Sequence, residues 1–177
     1  LRFCVCGGAP LAQELGEFFN ELGITILEGY GLTETSPVIA FNRLGAMRYG
    51  TVGQALPRVQ ISQAEDGELL VKGPNIMKGY YDNPKATKAA FTKEGWFLTG
   101  DIVEISPDGY IKIIDRKKEL LVLSNGKKIA PLPLEKDLKS SRYVSQAVVI
   151  GENRNYLIAL IVPNFELLRE FVNKEKQ

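Results

Sequence analysis

Apolar residues fall in short β-rich runs along most of the chain, and only a few stretches place them at helical spacing. The first run, Leu1–Cys6, predicts a buried strand. A helix should follow it, with Pro10 in its first turn and Gly23 directly after its last residue. Ile24–Leu27 then predicts a second strand, and this strand–helix–strand unit favours a parallel pair. The apolar stripe of the helix consists of Leu11, Leu15, Phe18, Phe19 and Leu22.

Two antiparallel hairpins are predicted in the middle of the chain. The first joins Val59–Ser62 to Glu68–Lys72 through an Asp-Gly turn. The second joins Phe97–Ile105 to Tyr110–Ile114 through a Ser-Pro-Asp-Gly turn, in which the proline pre-sets its φ and the glycine tolerates a positive φ. Residues 84–91 predict a short helix between the two hairpins.

The last third of the chain changes in character. An Asn-Gly turn between 120–123 and 127–130 predicts another hairpin, followed by a helix over 134–138, strands over 143–150 and 156–162, and a final helix. We therefore predict a domain boundary near Arg116–Lys118, which divides the chain into residues 1–116 and 117–177. The expected fold is mixed α/β and α+β: a strand–helix–strand unit with a small antiparallel β subdomain, followed by the start of a small α+β domain.

Composition narrows the class of protein. Of the 177 residues, 45% are hydrophobic and 24% are charged, and the net charge of +1 gives no reason to expect nucleic acid or an anionic membrane as a partner. No apolar run is long enough to span a bilayer, and no signal peptide is recognisable, so we expect a cytoplasmic protein. Cys4 and Cys6 would share one face of a strand as reduced, buried thiols. The absence of histidine excludes His-based acid–base catalysis.

Polar residues that could bind a ligand lie at three places along the chain. After the second strand, Glu28–Thr35 combines glycines, an aromatic ring, hydroxyls and carboxylates. Asp101 follows Thr-Gly within the second hairpin, and a carboxylate there suits paired hydroxyls. Arg116 begins a basic run, and a guanidinium suits phosphate or a hydroxyl-rich sugar. By residue type alone, a glycine-rich turn, a satisfied turn aspartate and a solvated basic run explain these features as well.

Five motifs, taken in order, resemble those of the AMP-forming adenylating enzymes, a superfamily that includes acyl-CoA synthetases, luciferases and peptide-synthetase adenylation domains. They are G-G-A-P at 7–10, Y-G-L-T-E-T at 30–35, G-E-L-L-V-K-G-P with M-K-G-Y-Y at 67–81, W-F-L-T-G-D at 96–101, and D-G-Y-I-K-I-I-D-R-K-K-E at 108–119. The later run G-K-K-I-A-P, Q-A-V-V-I-G and Y-L-I-A-L-I-V-P-N-F is most similar to bacterial and archaeal long-chain fatty acid–CoA ligases.

The resemblance implies an activity and its ligands. In this family a carboxylate attacks the α-phosphate of ATP to give an acyl-adenylate and pyrophosphate, and coenzyme A then displaces AMP. It implies ATP or AMP and Mg²⁺ as cofactors, fatty acid and coenzyme A as substrates, and no nucleic acid partner. Peripheral membrane association and the oligomeric state of a full-length enzyme stay open. The alternatives are an adenylation domain for amino acids or other carboxylates, and a non-catalytic AMP-binding module.

The resemblance also implies roles for particular residues. Tyr30 would stack on adenine, and Asp101 would accept both ribose hydroxyls. Thr33 would bind the α-phosphate, Glu34 would hold Mg²⁺, and Arg116 would meet the ribose or the α-phosphate. Further nucleotide-binding positions implied in this way are Gly8, Ala9, Glu28, Gly29 and Gly31.

Lys118 matches the hinge about which the small domain of these enzymes rotates between adenylation and thioester formation. Two phosphate-binding elements of the family, a Ser/Thr/Gly-rich loop ending in lysine and a lysine near the end of the small domain, are not in this sequence. Val122 and Leu123 stand where many members have a lysine used in thioester formation. We therefore expect a truncated piece of such an enzyme that is inactive by itself.

Overall fold

The computed structural model describes residues 2–175, so Leu1, the first residue of the first predicted strand, lies outside the described residues. The chain forms two compact units, Leu1–Ile113 and Ile114–Gln177. The predicted division after residue 116 stays a prediction.

The first unit begins with a four-stranded sheet of order β1-β2-β3-β4. Its β1 and β2 run parallel, as predicted, and β2, β3 and β4 pair antiparallel. β2 is longer than predicted because Gly29 and Tyr30 pair with Phe41 and Ala40 of β3, so the first half of the glycine-rich segment is strand. The elements are β1 (Cys4–Cys6), α1 (Gln13–Glu21), β2 (Ile26–Gly31), β3 (Val38–Phe41) and β4 (Gln54–Ala55).

Two predictions about the start of this unit are wrong. Pro10 does not lie in the first turn of α1: helical hydrogen bonding begins at Ala12, whose carbonyl accepts the amides of residues 15 and 16, each at 3.1 Å. β1 is also not a buried strand. Its Val5 is 61% exposed and its two cysteines are half-buried free thiols, because β1 lies at the edge of the sheet. The predicted glycine after α1 is confirmed, since Gly23 has φ +78°.

The second sheet of the first unit has the order β5-β6-β7-β8 and contains both predicted hairpins. Gly67 and Gly109 adopt positive φ values of +88° and +85° in the two turns. The second turn is closed by a bond of 2.9 Å from the Ser106 amide to the Tyr110 carbonyl. The elements are β5 (Gln60–Gln63), β6 (Glu68–Lys72), α2 (Pro84–Ala89), β7 (Phe97–Ile105) and β8 (Ile111–Arg116).

One hydrophobic core joins the two sheets. It packs Ile39 of β3 against Leu69 of β6 and Ile111 of β8, all three fully buried. Burying a side chain of this size stabilises the fold by roughly 1.5–3 kcal/mol. Tyr30 packs against the edge of this core. The core therefore holds the end of β2 and the middle of β7 in a fixed relation, and both carry predicted site residues.

The second unit contains the elements predicted for it. The Asn-Gly hairpin, the helix after it, the two following strands and the last helix are all confirmed, as is the mixed α/β and α+β fold class. The two strands pair antiparallel. Within residues 2–175, no helix is long and apolar enough to cross a membrane. The elements are β9 (Leu121–Val122), β10 (Lys128–Ile129), α3 (Pro131–Lys139), β11 (Val144–Ile150), β12 (Ile158–Pro163) and α4 (Phe165–Glu175).

Candidate functional site

Tyr30 and Asp101 meet although 71 positions separate them in the sequence. The Tyr30 hydroxyl, near the end of β2, donates a hydrogen bond to Oδ2 of Asp101 on β7. Asp101 is only 3% exposed, and the ring of Tyr30 is half-buried. An aromatic face and an acceptor carboxylate are thus joined at one place, where a base and a sugar bearing two hydroxyls could bind side by side.

A β-bulge places Asp101 at this position. The pairing between β6 and β7 shifts register between Glu68 and Leu70, where Gly100 has a φ of +73°. The Gly100 amide donates to Oε1 of Glu68 at 2.8 Å, and the Thr99 hydroxyl donates to the Leu69 carbonyl at 2.8 Å. The glycine before Asp101 is therefore required by the backbone, and its conformation is held by a buried carboxylate on the neighbouring strand.

The role of Glu68 was not predicted from the sequence, although the residue lies within one of the five motifs, at 67–81. Glu68 is 3% exposed on a strand whose neighbouring positions are apolar. Burying a carboxylate costs free energy unless it is hydrogen-bonded. An acidic residue at a core position of a strand was therefore a signal that Glu68 holds a specific partner.

The loop between β1 and α1 lies against β2. A Cβ on Gly7 would come within 3.1 Å of the Gly29 carbonyl oxygen, and Gly8 has a φ of +83°. The buried carboxylate of Glu28 accepts the Leu11 amide at 3.0 Å and so ties the end of this loop to β2. Gly8 and Ala9 themselves are exposed, which leaves their backbone accessible to a ligand.

The glycines of β2 are explained by contacts within the chain. A Cβ on Gly29 would lie 2.6 Å from Cδ2 of Phe41, and one on Gly31 would overlap the Pro37 carbonyl. These positions exclude larger side chains because β3 and the turn before it approach closely. The resemblance implies Gly29 and Gly31 as nucleotide-binding positions, and in the structure it is the chain itself that approaches them closely.

The turn after β2 presents a hydroxyl and a carboxylate. Thr33 is exposed and Glu34 is half-buried in a 3₁₀ turn, Thr33–Thr35. Thr35, which is fully buried, stabilises the turn: its Oγ1 accepts the Leu32 amide at 2.9 Å and lies 2.6 Å from the Pro37 carbonyl. The structure thus presents the two residues to which the resemblance assigns phosphate and metal binding on a rigid turn.

Glu34 is also held by the segment that follows β6. Its backbone carbonyl accepts the Met77 amide at 2.8 Å, and its Oε1 accepts the Tyr80 hydroxyl at 3.0 Å. Partial burial and, secondarily, the bond to Glu34 raise the pKa of Tyr80 above its ordinary value. Tyr80 therefore stays a neutral phenol and a hydrogen-bond donor at neutral pH.

In the part of the chain that the structure describes, residues 2–175, no cluster of three or more acidic or sulfur-bearing side chains could hold a metal ion by itself. One half-buried carboxylate beside an exposed hydroxyl is nevertheless the donor set that Mg²⁺ uses when substrate phosphates supply the other ligands. Glu34 and Thr33 fit that mode of binding.

The second unit begins at Ile114, within β8, so it contains Arg116 as well as Lys118, and both residues are exposed. Arg116 ends β8, and Lys118 lies in the 3₁₀ turn Lys117–Glu119 that follows it. The buried carboxylate of Asp115 accepts the Arg116 amide at 2.7 Å and the Leu132 amide at 3.0 Å. Asp115 thus links the backbone at Arg116 to the first turn of α3. Sequence reasoning did not assign this role.

Comparisons with known proteins show which family this chain resembles. The family described as "AMP-binding enzyme" matches residues 1–81, and the family described as "AMP-binding enzyme C-terminal domain" matches residues 118–176. The chain is 46% identical over 160 residues to a long-chain-fatty-acid–CoA ligase, FadD15, of Mycobacterium bovis, covering 90% of this chain and 26% of the relative. The chain therefore spans about a quarter of the length of such curated relatives.

Solved structures give the same result. O-succinylbenzoate coenzyme A synthetase of Bacillus subtilis, in complex with ATP and magnesium ion, is 30% identical with a TM-score of 0.81, over 92% of this chain and 37% of that one. The same enzyme with its acyl-adenylate intermediate has a TM-score of 0.82 at 28% identity, over 98% of this chain and 40% of that one. The chain belongs to the AMP-binding, AMP-forming adenylating enzyme superfamily.

Proposed function

We propose that the protein containing this chain is an ATP-dependent, AMP-forming long-chain fatty acid–CoA ligase. The observation that carries the proposal is the joining of Tyr30 and Asp101, which places a stacking ring and a hydroxyl acceptor at one site. The similarity to long-chain-fatty-acid–CoA ligases supports the choice of substrate class over amino acids.

In this proposal the nucleoside binds between the loop after β1 and the bulge of β7. The ring of Tyr30 stacks on the adenine, and the exposed backbone of Gly8 and Ala9 lines its edge. Asp101 accepts the ribose hydroxyls. A carboxylate has about four lone-pair sites, so it can receive the ribose while still receiving Tyr30.

The phosphates then extend toward the turn after β2. The Thr33 hydroxyl donates to the α-phosphate, and Glu34 holds Mg²⁺, which neutralises phosphate charge when it is bound. The carboxylate of the fatty acid is ionised at neutral pH, so its attack on the α-phosphate requires no general base. A chain without histidine is compatible with a reaction that depends on positioning and charge neutralisation.

The second half-reaction, thioester formation with coenzyme A, is proposed to depend on residues at the end of β8 and in the turn after it. We propose that Arg116 contacts the nucleotide and that the turn containing Lys118 is the hinge that changes between the two half-reactions. The exposed position of both side chains is compatible with these roles.

The test is to assay the two half-reactions separately in the full-length protein. With ATP, Mg²⁺ and palmitate, we expect pyrophosphate release and a hydroxylamine-trappable acyl group, followed by thioester formation when coenzyme A is added. Activity with amino acids in place of palmitate would support the alternative class of adenylation domain. Nucleotide binding without pyrophosphate release from any carboxylate would identify a non-catalytic AMP-binding module.

A further inference from the structure

We propose that Tyr80 is a positioning residue for Glu34: its hydroxyl orients the carboxylate that binds Mg²⁺, and so sets the metal affinity of the nucleotide site. This inference rests on the proposed function, which makes Glu34 the metal ligand. Its structural basis is the bond of 3.0 Å between the Tyr80 hydroxyl and Oε1 of Glu34, made across 46 positions of sequence.

The bond leaves a defined geometry at Glu34. Among the hydrogen bonds of the described residues, 2–175, the Tyr80 hydroxyl is the donor to the Glu34 carboxylate. A phenol that occupies Oε1 restricts rotation of the carboxylate and leaves Oε2 as the oxygen for a cation. Mg²⁺ demands near-ideal octahedral geometry, so a ligand oriented in advance increases affinity more for this ion than for a more permissive one.

Tyr80 is itself held in place. Its amide donates to Oγ1 of Thr87 at 2.9 Å, and that hydroxyl donates to the Asn83 carbonyl at 2.9 Å. Gly79 has a φ of +153°, and a Cβ there would lie 2.6 Å from Thr87. The tyrosine therefore projects from a loop whose backbone is anchored to the first turn of α2.

The same loop is joined to Glu34 a second time, through the bond of 2.8 Å from the Met77 amide to the Glu34 carbonyl. Main chain and side chain of Glu34 are thus both held by one segment, residues 77–80. A hydrogen bond that served only to stabilise the fold would not need to engage the half-buried carboxylate that is proposed to bind the metal ion. Orienting Glu34 accounts for the tyrosine hydroxyl as well as for the loop geometry.

The chain offers a matched control in the next residue. Tyr81 has a fully exposed side chain, 101% against 41% for Tyr80. Tyr80→Phe and Tyr81→Phe each remove one hydroxyl from adjacent positions and keep the ring, but only Tyr80→Phe removes the hydrogen bond to Glu34.

The experiment uses the full-length protein and three measurements. For Tyr80→Phe we expect the Mg²⁺ concentration that half-saturates adenylation to rise about three- to tenfold, the factor for one net hydrogen bond. Binding of Mn²⁺ with a non-hydrolysable ATP analogue, followed by electron paramagnetic resonance, should weaken by a similar factor. Metal-free AMP affinity should equal that of Tyr81→Phe.

Identical metal dependence in the two variants, with the wild type active, would overturn the inference and leave the proposed function intact. A loss of AMP affinity in Tyr80→Phe, with no change in metal dependence, would assign the tyrosine to the fold and overturn the inference too. A wild-type protein that releases no pyrophosphate would overturn the proposed function, and the inference with it.

Discussion

Oε1 of Glu68 accepts the amide of Gly100 at 2.8 Å, one residue before Asp101. Glu68 is buried on β6, and Gly100 is the residue of β7 with a positive φ at the bulge. The orientation of the proposed ribose-binding carboxylate therefore depends on a second carboxylate that does not need to touch the ligand.

Glu68→Leu should loosen this arrangement. It leaves the Gly100 amide without its acceptor, which costs about 1–3 kcal/mol, and it frees the backbone before Asp101. We expect a lower free energy of unfolding in urea and weaker AMP binding by titration calorimetry. Glu65→Leu, at an exposed position of the same hairpin, is the control. Equal AMP affinity in the two variants would contradict a positioning role.

Asp101→Ala should weaken nucleotide binding directly. Hydrogen bonds to a charged group contribute roughly 1.5–3 kcal/mol each, so we expect the affinity for ATP to fall at least tenfold in the full-length protein. Tyr30→Phe removes the hydroxyl that donates to Asp101 but keeps the stacking ring, and should cost less. An unchanged KM for ATP in Asp101→Ala would contradict the assignment.

Lys118→Pro should separate the two half-reactions. Proline locks φ near −65° and restricts the residue before it, so the proposed hinge would keep one orientation. We expect acyl-adenylate formation to survive and transfer to coenzyme A from preformed acyl-adenylate to collapse. Lys118→Ala keeps the backbone free and should retain both activities. Losses of equal size in both half-reactions of the proline variant would show that Lys118 is not the hinge.

The ion pair between Arg48 and Asp108 should make stability depend on pH in acid. The Arg48 guanidinium, followed by the Ser106 hydroxyl, lowers the pKa of Asp108 from 3.8 to about 2. Because the folded-state pKa is the lower one, the stabilisation is present above pH 3.8 and is lost as the pH falls toward 2. In Arg48→Met, the urea concentration at the midpoint of unfolding should depend less on pH between these two values than in the wild type. An unchanged dependence on pH would show that the ion pair is not formed in solution.

The 177-residue chain by itself should not form acyl-adenylate. The phosphate-binding loop and the C-terminal lysine that the resemblance implies are not in its sequence, and each is expected to neutralise charge on the transferring phosphoryl group. Purified chain with ATP, Mg²⁺ and palmitate should release no pyrophosphate above background. Repeated turnover would contradict this prediction, and weak AMP binding would not.

The amino-acid sequence by itself determined most of the local structure. Turn residues such as Gly67, Gly109 and Gly126 permit the positive φ values that the turns require, and each predicted hairpin is present around them. Local pattern failed at β1 and at Pro10. The burial of β1 depends on which other segments cover it, so it does not follow from the residues of the strand. The proline at position 10 is compatible with a helix start, but the first helical hydrogen bonds are accepted by Ala12.

Tertiary structure alone decided how the candidate site is assembled. The sequence identified Tyr30, Glu34 and Asp101 by their chemistry, but it did not show that Tyr30 contacts Asp101 or that Tyr80 contacts Glu34. Propensities and turns act over a few residues, whereas these contacts join segments that are distant along the chain. They form because β3, β6 and β8 pack around one core, which brings the segments carrying these side chains together.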